Sequence, residues 1–445
     1  MPLRATFCRW SLLGTVGIWL ATSPALAEPD PPAASQGLPW PLETANRPMD
    51  SLGTAGYLAS VLDLLDREAE AERSEELGAL YYDVLATRLA FVGDDEDATR
   101  YDDRAFGTPA NDGPADAKSA LIDAYRPAVA LDAIAAAARE HRIVMINEEH
   151  RSSQQRAFAN QLLVPLREAG YTHLAIETLG ETGERLRARG YPVLSSGTYT
   201  RDPALGDLVR RALALGYVVI EYEAGPDVSA PRPDDTSPLD AINRRERGQA
   251  ENIVARVFEQ DPGAKLLVYA GRGHISESGD EWKPMGSVLK EATGLDPFTV
   301  DLTAMVEHSD EKFEHWAFRL LADKNILRDE PILMRAANGE FWSEIPGAFD
   351  ATLFHPRTQH ADGRPSWMTM GGLRSAVRVP IDSPGCTVLL QALVAGENDD
   401  AVPLDQAVWW REQAAPTLML RRGDYVIRAV DRTGAVRQSI PLRVD

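Results

Sequence analysis

The sequence predicts an α/β protein: a mostly parallel sheet flanked by helices, with an N-terminal helical hairpin and a small C-terminal β-sandwich-like domain. Three patterns carry that reading. Between residues 131 and 310, short apolar runs alternate with stretches of helical periodicity, the texture of successive βαβ units. Upstream, apolar residues recur at the three-and-four spacing of amphipathic helices. Beyond Leu373, strand-like segments follow one another without helices of comparable length.

At the N-terminus, Arg4 and Arg9 precede an apolar run from Trp10 to Ala21, and Ala25-Leu26-Ala27 supplies a small-x-small cleavage pattern. Residues 1–27 therefore read as a secretory signal peptide. Export is implied: to the periplasm if the source is Gram-negative, otherwise to the medium. No later segment approaches the ~18 consecutive apolar residues a spanning helix needs, so no membrane span is expected in the mature chain. Residues 28–47, rich in Pro and small residues, read as a flexible leader.

Residues 48–130 form a helical region. Leu58, Val61, Leu62 and Leu65 make one stripe, and Leu77, Leu80, Tyr81, Val84, Leu85 and Leu89 a second, which together predict an αα-hairpin. The acidic stretch 93–118 reads as a surface connection.

The α/β domain is placed at 131–372. Its strands are Ile143–Ile146, His173–Ile176, Tyr217–Ile220 and Leu266–Tyr269, with Phe298–Val300 a fifth; unbroken apolar runs suit a sheet covered on both faces. Helix starts are marked by Ser152 with Gln155 three residues on, by Asp202-Pro203 and by Ser237-Pro238, and Gly216 closes the helix opened at Pro203. Residues 373–445 form the small β domain, in which Asp431-Arg432-Thr433-Gly434 makes a tight turn between the last two strands.

The formal net charge of −21 argues against a nucleic-acid partner, because a polyanion is repelled by such a field. Once the signal with Cys8 is removed, Cys386 stands alone, so no internal disulfide can form and stability rests on packed cores.

In an open parallel sheet, ligands bind beyond the carboxyl ends of the strands. Here the first strand runs into Asn147-Glu148-Glu149-His150, the second into Glu177, the third into Glu221-Tyr222-Glu223, and the fourth into Gly271-Arg272-Gly273-His274. Four strands thus deliver acids or imidazoles to one edge. Carboxylates and neutral imidazoles suit Zn, Mn or Co, and the same groups also serve as general base and proton shuttle without metal. There is no HExxH helix, GxSxG elbow or GxxxxGK[ST] loop, which disfavours a serine hydrolase or P-loop enzyme.

At these motifs, NEEH, AIE and AGRGH, the chain resembles the superfamily that includes the Tiki-type proteases, the erythromycin esterases and the ChaN-like haem-uptake proteins. Asn147 stands where a glycine is common. The resemblance covers about residues 131–310. It implies a catalytic set of Glu148 or Glu149, His150, Glu177 and His274, with Glu149, His150, Glu177 and His274 as ligands if a divalent metal (Mn, Zn or Co) is bound. It also points to an arginine-bearing helix, here with Arg245, whose face is shared by Gln249 and Asn252.

Glu223, Arg245, Tyr269, Arg272 and His355 are binding candidates, His355 because it opens a polar, aromatic loop running to Trp367. The expected function is an exported hydrolase cleaving an ester or amide bond of a small-molecule or peptide substrate. One alternative is a ChaN-type haem or other ligand carrier, with Tyr269 or His274 as axial ligand. Another is an interaction protein with a vestigial site, whose C-terminal β domain meets a protein partner.

Overall fold

In this computed structural model, residues 38–74, 77–382, 385–411 and 413–445 are described. The signal peptide and most of the leader lie outside them.

The central sheet has eight strands: β1 (Tyr125–Val129), β2 (Ile143–Glu148), β3 (His173–Ile176), β4 (Val218–Glu221), β5 (Leu266–Gly271), β6 (Phe298–Met305), β7 (Ile332–Ala336) and β8 (Ala351–Phe354). Their spatial order is β1-β7-β8-β6-β2-β5-β3-β4. The stretch from β8 to β4 is parallel throughout, and β7 pairs antiparallel with both neighbours. The five strands read from apolar runs are all present and lie together.

Alternation along each strand feeds two cores. On one face Val144, Ile146, Leu174 and Leu267 pack against helices α7 (Ala130–Glu140), α8 (Ser153–Glu168) and α10 (Pro203–Ala214). On the other, Ile143, Met145, Leu266 and Val268 meet α12 (Pro238–Ile253) and α13 (Met285–Thr293). The expected caps form: Ser152 accepts from the Gln155 N–H, Asp202 from Ala204 and Leu205, and Ser237 from Leu239. Gly216 follows α10 at a φ of 80°, where a side chain would be strained.

The N-terminal region holds more helix than the hairpin. Around α2 (Tyr57–Leu65) and α4 (Gly78–Phe91) lie α1 (Trp40–Leu52), the short α3 (Glu68–Ala71), α5 (Asp95–Phe106) and α6 (Ala115–Ala124). Two expectations are corrected here. The leader ends earlier than 47, because Pro41 sits in the first turn of α1, where its missing N–H costs nothing, and Thr44, Ala45 and Met49 are buried. The stretch 93–118 is not a mere connection. Asp94 caps α5, and Asp95, Glu96 and Asp97 occupy its first turn, where acids complement the helix dipole.

In the C-terminal region, β12 (Val388–Val394), β13 (Asp405–Trp409), β15 (Gly423–Asp431) and β16 (Val436–Val444) form an antiparallel sheet ordered β13-β12-β15-β16. A two-stranded sheet, β11 (Ser375–Val377) with β14 (Leu418–Leu420), packs across one face to give the sandwich-like core. Leu389, Val402 and Val408 from the other face join the core of the N-terminal helices. Two short strands, β9 (His360–Ala361) and β10 (Arg364–Pro365), precede this region. No helix of the described residues is long and apolar enough to cross a membrane.

Candidate functional site: two imidazoles held by buried carboxylates

The strand ends converge as the sheet topology requires, since β2, β5, β3 and β4 are neighbours running the same way. Glu148 closes β2, Glu177 follows β3, and His274 sits in a single turn after β5. Glu148, His150, Glu177, Tyr269 and Gly271 line one small cavity, completed by Ile176, Tyr199, Leu205 and Ala270. Gly271 matters here for space rather than for backbone freedom. A Cβ at that position would lie 2.8 Å from His150 Cε1 and 3.1 Å from Glu177 Oε2. The left-handed backbone falls instead on Arg272 (φ 30°) and Thr178 (φ 57°), each just past a strand end, where strain tends to collect at functional sites.

The first imidazole, His150, has Nδ1 3.3 Å from Glu148 Oε1, and its ring lies flat on Tyr199, with centroids 3.8 Å apart. Glu148 is buried and fully engaged. Arg156 clamps it bidentately at 2.7 and 2.8 Å, and the Tyr269 hydroxyl donates to Oε2 at 2.6 Å. Burial pushes the Glu148 carboxyl up, but the Arg156 guanidinium and the His150 contact outweigh it and hold the group at about 2. Arg156 also donates to the His150 carbonyl at 2.8 Å and pairs with Asp202, the cap of α10, at 2.9 Å. One guanidinium thus fixes the base of the His150 loop and ties it to the next helix.

The second imidazole, His274, has Nδ1 2.7 Å from Glu246 Oε1 and Nε2 3.5 Å from Glu177 Oε1. Glu246 is fully buried on α12, and its carboxylate accepts from the Met285 N–H at 2.7 Å and from Trp282 Nε1 at 3.2 Å. Burial lowers the affinity of His274 for a proton, but Glu246 and Glu177 more than reverse that and raise it to about 9. Glu177 lies between the two imidazoles. Burial raises its carboxyl; His274, Arg245, His150 and the Gly271 N–H bring it down to about 2.

Arg245 donates to Glu177 at 2.8 Å and to both oxygens of Glu223 at 2.8 and 2.6 Å, with Gln249 adding contacts to Glu223 at 3.2 Å. Asn252 donates to the carbonyls of Tyr222 and Glu223. The helical face read from sequence therefore points at the site. Asn147, the departure from the glycine of the resemblance, stitches strand ends together: Nδ2 donates to the Arg272 carbonyl and to Asp301, and Oδ1 accepts from the Leu302 N–H.

Three expected site residues lie elsewhere. Glu149 faces away from Glu148: its N–H donates to Gln155 Oε1 at 2.6 Å, and its carboxylate pairs with Arg151 at 2.8 Å. One step along an extended chain reverses side-chain direction, so Glu148 and Glu149 cannot both face the cavity. Arg272 is exposed, over the ring of Phe106, 4.0 Å from Asp102. His355 is fully buried beside Phe158, with neither ring nitrogen bonded, and burial pushes it down to about 3. It belongs to the core behind β8, because the chain turns inward there.

Sequence reading did not single out Arg156, Tyr199 and Glu246 for the site. Tyr199 sits in a loop with no motif, and Arg156 and Glu246 are charged residues on helices, where charge normally marks a solvated face.

The donor set does not fit a metal. Both oxygens of Glu148 and of Glu177 are taken by guanidinium, hydroxyl or amide donors, and Arg245 Nη1 stands 3.4 Å from His274 Nε2, where a cation would be repelled. Among the described residues no three His, Cys, Asp or Glu side chains gather in ligating geometry. Haem fits no better, since Tyr269 is committed to Glu148 and His274 Nε2 faces charged partners rather than an apolar slot.

No family model and no curated protein matches the chain. Among solved structures it is similar to the type III effector HopBA1, at 18% identity over 43% of this chain and 94% of that one, with a TM-score of 0.27. It is also similar to RRSP, a MARTX toxin effector domain from Vibrio vulnificus CMCP6, at 18% identity over 62% and 58% of the two chains, with a TM-score of 0.30. A third is the C-terminal region of Pasteurella multocida toxin, at 12% identity over 84% and 51%, with a TM-score of 0.28. The chain spans just over half of the last two. Likenesses this loose extend to no residue of the site.

Proposed function

We propose that the chain is a metal-independent hydrolase of an ester or amide bond, in which His150 is the general base and His274 the general acid. The observation that carries this is the matched pair of imidazoles, each with Nδ1 against a buried carboxylate, which leaves Nε2 as the working atom of His150 and turns Nε2 of His274 toward Glu177 and Arg245 at the centre of the cluster. Neither Glu148 nor Glu177 is free to act as base, because arginines hold both ionised and weakly basic. The motif resemblance supports the same catalytic set, less Glu149.

In this scheme His150 Nε2 takes a proton from water as the water oxygen bonds to the carbonyl carbon. Glu148 stabilises the imidazolium that forms. The imidazolium of His274, with Arg245 beside it, supports the negative charge that develops on the carbonyl oxygen. His274 then protonates the leaving oxygen or nitrogen as the carbonyl bond to it breaks. Both histidines exchange protons with solvent to reset.

The test is turnover of p-nitrophenyl esters and of peptide anilides by the full chain, with His150→Ala and His274→Ala as controls. The expected result is hydrolysis of one class, lost in both variants and undiminished by a chelator. Absence of turnover on both classes, survival in both variants, or loss to chelator with recovery on adding Zn or Mn would each overturn the scheme.

A further inference from the structure

Helix α5 turns one face toward the strand ends. Thr99, Asp102, Asp103 and Phe106 follow the spacing i, i+3, i+4, i+7, a single stripe along the helix, while Ala98 and Tyr101 pack into the core of the N-terminal helices. A stripe at this spacing that faces the protein is normally apolar. Here its centre is two acids, and both are buried, at 4% and 6% exposure.

Each member of the stripe meets a loop that leaves a parallel strand. Asp103 grips the loop after β6: Oδ1 lies 2.6 Å from His308 Nδ1, and Oδ2 accepts from the Ser309 N–H and hydroxyl at 2.7 and 2.6 Å. Thr99 Oγ1 accepts from Arg151 Nη1 at 3.1 Å, in the loop after β2. Phe106 lies beneath the Arg272 guanidinium at 4.9 Å, in the turn after β5. Asp102 reaches both of these last two segments, with Oδ2 2.9 Å from Arg151 Nε and Oδ1 4.0 Å from Arg272 Nη2. Arg151 directly follows His150, and Arg272 precedes His274 by two residues. One carboxylate therefore stands between the two segments that carry the imidazoles. Its contacts are charge pairs rather than aligned hydrogen bonds, since Oδ1 and Arg151 Nε both lack a hydrogen-bond partner. The pair of Arg151 with Glu149 stays within the loop, whereas Thr99 and Asp102 tie Arg151 to another element.

We propose that Asp102 is a positioning residue for the hydrolysis described above: with α5 anchored by Asp103 on the β6 loop, the Asp102 charge holds the His150 and His274 segments at their working separation. The N-terminal helices are then part of the site and not cladding. This rests on the reading of the two imidazoles as base and acid, but its first test does not use turnover.

That test is ¹⁵N NMR of the histidine side chains in the full chain, with His150 assigned by His150→Gln, comparing wild type with Asp102→Asn, which keeps shape and removes charge. The expected result is that the single neutral tautomer of His150, with its proton on Nδ1 against Glu148, gives way to a mixture, while the signals of the core residue His355 stay in place. In turnover, kcat should fall roughly tenfold or more with KM within about twofold, because misplacement of a catalytic group acts on the bound complex, and Asp102→Glu should restore part of the loss. His150 signals unmoved in Asp102→Asn overturn the proposal even if the melting temperature falls, since Asp102 is then a structural tie alone; a kcat unchanged beside moved signals overturns it too. Should Asp102→Asn not fold, Thr99→Val, which removes one hydrogen bond to Arg151 and keeps the shape, decides in the same way. Absence of turnover in the wild-type chain bears on the catalytic reading alone, and the NMR comparison still decides the role of Asp102.

Discussion

The two histidine–carboxylate pairs look alike in outline and differ in what stands behind the carboxylate. Behind Glu148 is Arg156, a guanidinium with no solvent exposure that clamps both carboxylate oxygens. Behind Glu246 are only neutral donors, the Met285 N–H and the Trp282 indole, so its full charge acts on His274, which stays protonated to about 9. The same motif, imidazole Nδ1 on a buried acid, is backed by a cation at one site and by neutral donors at the other, where it holds a standing imidazolium. An acid with no counter-charge behind it holds a neighbouring imidazole's proton the more strongly.

The largest effect is expected from His150→Ala, which removes the base: hydrolysis should fall roughly 10²–10⁴-fold with little change in melting temperature. Breaking the clamp comes next. Arg156→Met leaves Glu148 and Asp202 buried without their cation and should cost about 3–5 kcal/mol in chemical denaturation.

Glu246→Gln sharpens the contrast from the other side. With its neutralising partner gone, His274 should drop from about 9 toward the ordinary value of 6.5, so the alkaline limb of the pH–rate profile moves down while the variant stays folded. The linkage has a definite sign. The raised proton affinity of His274 contributes stability that is fully present below 6.5 and lost as pH rises through 9, and Glu246→Gln should flatten that decline.

Tyr199→Phe keeps the ring against His150 and should leave turnover within a factor of about two, whereas Tyr199→Leu, which removes the stack, should lower kcat severalfold. A further effect, confined to acid pH, lies outside the site. Because burial holds His355 down to about 3, the unfolded chain takes up a proton below 6.5 that the folded one refuses, and stability falls as the pH drops toward 3. His355→Leu should reduce that acid sensitivity in thermal melts across pH 4–6.

The sheet's centre was legible because β2, β3, β4, β5 and β6 are unbroken apolar runs of a doubly covered sheet. The remaining strands were not. Tyr125-Arg126-Pro127-Ala128-Val129 is a half-exposed edge whose proline and arginine hide its strand character, and Ile332–Ala336 and Ala351–Phe354 pair antiparallel beyond the βαβ repeats. Helix α5 was missed because its acids look like loop composition until their place in the first turn is seen.

At the site, Glu148, His150, Glu177 and His274 were legible from strand ends alone, since parallel neighbours must bring those ends together. Arg156, Tyr199 and Glu246 were not, because each arrives from a helix or loop whose rotation is set by tertiary packing. Glu149 was legible as a candidate and wrong in direction: the alternation of an extended chain sends it to Arg151. His355 looks like a loop residue in the sequence because nothing in its neighbours shows the chain turning into the core.

¹⁵N NMR of the histidine side chains, with His274 assigned by His274→Gln, reads whether Glu246 holds His274 as a standing imidazolium. Both ring nitrogens of His274 should carry protons at pH 7.5 and titrate together near pH 9, and Glu246→Gln should bring the transition down by more than one pH unit. A neutral His274 ring at pH 7.5, or a titration unmoved by Glu246→Gln, would contradict it.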